Sequence, residues 1–94
     1  MGCKAAHLDL TNARSRNQLL GLYERQGRNR EALRTGEELI GIEPENGNYW
    51  LIVGELNRRL GRKVQARDAV ERALRIDPDN PRYHEVYQLV QEGD

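Results

Sequence analysis

Residues 41–50 read GIEPENGNYW, and residues 75–84 read RIDPDNPRYH. Isoleucine, acid, proline, acid and asparagine recur in the same order, and Pro44 and Pro78 stand 34 residues apart. The correspondence extends well beyond the phrase. With residues 13–46 laid over 47–80, Leu22 falls on Leu56, Gly27 on Gly61, Ala32 on Ala66, Glu37 on Glu71 and Asn46 on Asn80, with no insertion or deletion. A gapless repeat of this period is one supersecondary unit written twice. Such a unit cannot bury its apolar face alone, so the copies must stack on one another.

Each copy reads as two helices with punctuation between them. In the second copy Trp50, Val53 and Leu60 follow helical spacing, and Gly61 offers a left-handed cap. Ala66, Ala69, Val70, Ala73 and Leu74 then recur at steps that mark one apolar helix face. Asp77 precedes Pro78 and is pushed out of the helical region. Asn80 suits an N-cap and Pro81 a first helical position, after which Tyr83, Val86, Tyr87 and Val90 keep helical spacing. The first copy shows the same order: Leu19, Leu22 and Tyr23, then Gly27, then Ala32, Leu39 and Ile40, then Pro44 and Asn46. Tyr49 lies beside a helix start, off the apolar stripe, and is expected at the surface.

The pattern resembles the tetratricopeptide repeat, a 34-residue helix-turn-helix unit. Trp50, Val53, Gly54, Ala66, Ala73 and Pro78 occupy its signature slots in the second copy, and Leu19, Tyr23, Ala32 and Pro44 in the first. Departures are Asn57 in a tyrosine slot, Val70 and Gly36 in an aromatic slot, and Arg16 in the tryptophan slot. The resemblance implies an all-α helix-turn-helix solenoid with a right-handed superhelical path. Residues 4–12 lie over 72–80 in the same register, with Leu10 in place of proline. One domain over 1–94 is therefore expected: a partial second helix of a preceding unit at 2–12, units at 13–46 and 47–80, and a terminal or capping helix at 81–94. That makes about six helices and suggests a slice of a longer array. Ala5, Leu8, Val86 and Val90 are expected on outer faces, where they could drive self-association through the end helices.

Composition narrows the function. Lys plus Arg and Asp plus Glu number 15 each, which argues against a non-specific binder of nucleic acid or anionic membrane. No apolar run approaches the ~20 residues of a membrane span. No signal peptide is visible, and Ala6 stands where a myristoylation signal wants Ser or Thr. A cytoplasmic protein is expected. With one cysteine, Cys3, no intramolecular disulfide can form. His7, His84 and Cys3 are far apart, so no metal site is expected, and His84, in the slot of Trp50, is expected to be a packed, partly buried imidazole. No phosphate-binding glycine loop or catalytic constellation is present, so neither a cofactor nor a small-molecule substrate is expected, and the chain reads as a non-enzyme. Basic residues cluster at the turn inside each unit and acidic ones at the turn between units. Nucleic-acid binding through that basic edge is a remote alternative.

The resemblance also implies a binding surface, the concave groove lined by first helices. Carried over slot by slot, it consists of Arg14, Asn17, Gly21, Glu24 and Arg25, then Asn48, Leu51, Glu55, Arg58 and Arg59, then Arg82, Glu85 and Leu89. The carboxylate clamp with which some family members hold an acidic chaperone tail maps to Asn17, Gly21, Ile52, Arg82 and Val86; only Arg82 fits, which excludes that ligand. The groove carries more arginine than glutamate. A protein-interaction scaffold is therefore expected, taking a peptide or helical segment of modest acidity, with Leu51 as apolar anchor.

Overall fold

The computed structural model describes residues 2–92, with side chains from Ala13 onward. It contains five helices: α1 (Gly2–Gln26), α2 (Asn29–Ile42), α3 (Gly47–Arg59), α4 (Lys63–Ile76) and α5 (Pro81–Glu92). They stack in chain order, each against the next, and α5 also touches α3. The body is elongated, 46 × 30 × 19 Å. Among the described residues no helix is long and apolar enough to cross a membrane.

The punctuation works as its residue types require. Gly27 and Gly61 adopt φ of 74° and 79°, the left-handed region that a Cβ disfavours. Arg28 N–H donates to the Tyr23 carbonyl and Gly27 N–H to that of Glu24; Arg62 and Gly61 repeat both bonds onto Asn57 and Arg58. These paired bonds satisfy the last carbonyls of α1 and α3. Asn46 Oδ1 accepts from Asn48 N–H at the start of α3. Asn80 Oδ1 accepts from the N–H groups of Arg82 and Tyr83 at the start of α5. Trp50 Nε1 donates to the Pro44 carbonyl at 2.8 Å, and His84 Nε2 lies 2.7 Å from the Pro78 carbonyl. Each ring latches the turn before its own helix. The repeat thus extends to individual hydrogen bonds.

Two apolar clusters form the interior. One gathers Ala13, Leu20, Leu33, Leu39, Tyr49, Val53 and Leu56 between α1, α2 and α3. The other gathers Leu51, Val70, Ala73, Tyr83, Val86 and Val90 between α3, α4 and α5. Trp50 packs against both, with the Arg72 guanidinium 5.4 Å from its ring centre. Small residues set the spacing: a Cβ on Gly54 would stand 2.5 Å from Val70 Cγ2, and one on Gly47 would stand 2.7 Å from the Tyr83 hydroxyl.

Several expectations change. The five helices agree with the all-α solenoid of about six that was expected, and residues 2–12 continue α1 without a break. Leu10 stands where proline ends α2 and α4, so nothing there stops the helix. Leu19 and Leu22 are 43% and 46% exposed, and Leu20 supplies the buried contact instead. Val86 and Val90 do not form an outer face; they are buried in the second cluster, and Leu89 is the exposed leucine of α5. Tyr49 is buried, not at the surface, and His84 is exposed, held by its bond to the turn instead of by packing. Ala5 and Leu8 lie outside the residues with described side chains.

Candidate functional site

The first-type helices α1, α3 and α5 are joined across one face by tyrosine–asparagine pairs. Asn17 Nδ2 on α1 donates to the Tyr49 hydroxyl on α3 at 2.8 Å. The Tyr83 hydroxyl on α5 donates to Asn48 Oδ1 on α3 at 3.0 Å. Both tyrosines occupy the same repeat slot, and both rings are buried while their hydroxyls reach the preceding first-type helix. Burial pushes each phenol above its ordinary pKa of 10.0. Next in size, the Glu43 carboxylate raises Tyr49 further by its charge and by a hydrogen bond. Asp77, the residue matching Glu43, does the same by charge for Tyr83, with Arg82 opposing it. Neither phenol is ionised near neutral pH; both act as fixed hydrogen-bonding groups.

Two hollows open beside these pairs. One, of about 430 Å³, is lined by Ala13, Arg14, Asn17, Gln18, Glu43 and Tyr49. The other, of about 330 Å³, is lined by Asn17, Asn46, Asn48, Tyr49, Leu51, Ile52 and Arg82. Asn17 and Tyr49 line both, so the two hollows are neighbours, and together they are called the trough, with Arg14 of α1 lining one and Arg82 of α5 the other. Both arginines are exposed. Asn17, Asn46 and Asn48 contribute amides to the lining, and Leu51 and Ile52 contribute aliphatic surface.

Of the groove residues expected from the sequence, Arg14, Asn17, Asn48, Leu51 and Arg82 meet in this trough. Leu51 is 2% exposed and packs against α5, so a ligand reaches only its edge; Ile52, half-buried beside it, offers more apolar surface. Glu24, Arg25, Glu55, Arg58, Arg59, Glu85 and Leu89 sit on the same three helices but line neither hollow. Arg25, Arg59, Glu85 and Leu89 are exposed, and Glu24, Glu55 and Arg58 are half-buried. Arg58 Nε is buried with no hydrogen-bond partner. Tyr49, Ile52, Gln18, Asn46 and Glu43 line the trough without having been expected there. The signal for Tyr49 was its fall on Tyr83 under the shift of 34.

A third hollow, of about 440 Å³, lies on α3 between α2 and α4. It is lined by Glu37, Trp50, Asn57, Arg62, Asp68 and Arg72 among others, and carries both signs of charge at close quarters. Among the described residues no group of three or more histidine, cysteine or acidic side chains is gathered as a metal site would require.

Comparison with curated proteins returns no match. A family profile described as tetratricopeptide repeat matches residues 22–81, from the last turn of α1 to the first residue of α5. With the stacked helix pairs, the glycine caps and the repeated ring-to-turn bonds, this match shows that the chain belongs to the tetratricopeptide repeat family.

Proposed function

We propose that this chain is a non-catalytic scaffold that holds a segment of another protein along the trough formed by α1, α3 and α5. Repeats of this family generally mediate protein–protein interaction, and that coarse role applies here. The finer reading rests on chemistry. Among the described residues, no ion pair ties Arg14, Arg25, Arg59 or Arg82 to Glu24, Glu55 or Glu85; the ion pair recorded joins Arg16 to Glu38, elsewhere. The groove arginines are thus available to a ligand. Arg14 lines one hollow of the trough and Arg82 the other, with asparagines and the Ile52 side chain in the same lining. A segment with carboxylates flanking an apolar side chain complements that set, because guanidinium groups favour carboxylate forks. Units at 13–46 and 47–80 with α5 as a terminal helix, in a cytoplasmic setting, fit the same reading.

The test is a random peptide library panned against the chain. Enriched peptides should carry acids around an apolar residue and should weaken as salt rises from roughly 0.05 M to roughly 0.5 M, where screening shortens. Arg14→Glu with Arg82→Glu should reduce their affinity about tenfold or more while leaving the melting temperature within a few degrees, since both side chains are exposed. Peptides that bind the double variant undiminished would remove the trough from consideration.

A further inference from the structure

The first residue of α3 is glycine because of what packs on it. A Cβ on Gly47 would stand 2.7 Å from the Tyr83 hydroxyl and 3.0 Å from the ring. That ring is buried and its hydroxyl is tied to Asn48, so it cannot move aside, and the approach of α5 calls for glycine. The residue before it, Asn46, is the N-cap of α3, and the two form an asparagine–glycine pair. In such a pair no Cβ shields the glycine nitrogen, which is free to approach the neighbouring side-chain amide. The other asparagines of the chain are followed by Ala13, Gln18, Arg30, Tyr49, Arg58 and Pro81. Asn80 forms the matching cap of α5, but its successor Pro81 has a nitrogen with no proton to lose. The two caps are alike in structure and opposite in reactivity.

The folded cap opposes reaction. Asn46 has ψ of 102°, its Oδ1 accepts from Asn48 N–H at 3.1 Å, and its carbonyl accepts from Tyr49 N–H at 3.2 Å. Bringing the Gly47 nitrogen onto Asn46 Cγ turns the peptide group between them and lifts Oδ1 off Asn48. The turn must open first, and its latch is the bond from Trp50 Nε1 to the Pro44 carbonyl at 2.8 Å. Water has a way in, because the pair lines a hollow of about 700 Å³ shared with Glu43, Pro44, Asp77 and Tyr83. We propose that Asn46 is a site of spontaneous deamidation, gated by opening of this turn, which places a carboxylate in the wall of the trough. The Gly47 N–H gives its proton to solvent and the nitrogen bonds to Asn46 Cγ. The Cγ–Nδ2 bond breaks, and Nδ2 takes up a proton and leaves as ammonia. Water then adds to either carbonyl of the five-membered imide and cleaves that carbonyl's bond to nitrogen. The products are aspartate or, with the backbone rerouted through the side-chain carboxyl, isoaspartate. No oxidant or reductant is needed. An aspartate keeps the cap, since its oxygen accepts as that of asparagine does and its charge suits a helix N-terminus. Isoaspartate lengthens the backbone by one carbon and loses the cap. Asn46 also lines the trough, so either product sets a negative charge there. The loss of affinity for an acidic segment that this implies rests on the trough reading above.

Peptide mapping by mass spectrometry, after incubation of the folded chain in warm, mildly alkaline buffer, reads the reaction. Position 46 should carry most of the deamidation, as aspartate and isoaspartate together, and Asn80 none. Isoaspartate marks the imide route, because direct hydrolysis of the amide gives aspartate alone. Trp50→Phe removes the latch and should speed the reaction about fivefold, the gain in open turns from losing one hydrogen bond. Pro81→Gly rebuilds the reactive pair at the second cap, and Asn80 should then deamidate. Asn46→Asp should keep the melting temperature within a few degrees and weaken the acidic peptides selected above about threefold. An intact amide at position 46, a rate there no greater than at Asn29 or Asn48, aspartate without isoaspartate, or an Asn80 that survives beside glycine would each overturn the assignment. A Trp50→Phe rate equal to the parent's would overturn the gating. Undiminished peptide binding by Asn46→Asp would overturn the trough reading and leave the modification standing.

Discussion

Substituting alanine at helical glycines should move stability in opposite directions at different sites. Gly54 lies in α3 where it crosses α4. A Cβ there would stand 2.5 Å from Val70 Cγ2 and 3.2 Å from the Ala66 carbonyl oxygen. Val70 is fully buried and β-branched, so its methyl cannot swing away, and the carbonyl is backbone. The helices must separate, at a cost of about 1–3 kcal/mol for an overpacked contact. Alanine's better helix propensity returns about 1 kcal/mol. Because Val70 Cγ2 would stand closer than real Cβ contacts allow, the overpacking cost falls in the upper part of that range, about 2–3 kcal/mol, and Gly54→Ala should destabilise by about 1–2 kcal/mol net, a fall in melting temperature of roughly 5–15 °C for a domain of this size. At Gly21, inside the C-terminal half of α1, no atom lies within 4 Å of the added Cβ. Only the propensity remains, and Gly21→Ala should raise the melting temperature by roughly 4–8 °C. Thermal and urea unfolding followed at 222 nm measure both, with m-values unchanged if the folded state is otherwise the same. Val70→Ala in the Gly54→Ala background should recover part of the loss, a coupling of about 1 kcal/mol or more. A Gly54→Ala protein as stable as the parent would refute the close α3–α4 approach on which the superhelical shape depends.

Three further outcomes follow from individual bonds. Trp50→Phe keeps most of the packing but loses the donor to Pro44, and should cost about 1 kcal/mol by urea unfolding. Asn80→Ala removes the acceptor for the first amides of α5 and should also cost about 1 kcal/mol, with the loss appearing first as faster amide exchange in α5. Tyr49 has a pKa raised on folding, so its contribution is full below the unfolded value of 10.0 and is lost as pH climbs from there through the folded value. Stability should fall along that alkaline limb, and Tyr49→Phe should flatten it.

The sequence made some features readable because single residues carry them. A glycine at positive φ, an asparagine cap and a proline stop act through local backbone chemistry, so Gly27, Gly61, Asn46, Asn80, Pro44 and Pro78 are found where the repeat places them. Burial was less readable, because a helical stripe says which residues could pack and not whether a neighbour is there. Leu19 and Leu22 share the periodicity of Val53 and Leu56, but among the described residues no helix lies over their face of α1 as α2 lies over that of α3. Val86 and Val90 on α5 look like an end face, but α3 and α4 lie beneath them. Tyr49 was misplaced for another reason: its periodicity was weighed within one helix, although its match to Tyr83 already implied the same buried, hydroxyl-bonded environment. Leu51, assigned by slot to the groove, is buried in the cluster shared with α4 and α5, and the apolar part of the trough passes to Ile52.

The scaffold reading is tested most directly by mapping where a selected acidic peptide sits. In a titration of the nitrogen-15-labelled chain, the backbone amide signals of Asn17, Asn48, Ile52 and Arg82 and the side-chain N–H signals of the two asparagines and Arg82 should shift together and saturate at one affinity. Shifts concentrated instead at Glu37, Gln65 and Asp68, around the hollow between α2 and α4, would contradict the assignment of the trough as the binding surface.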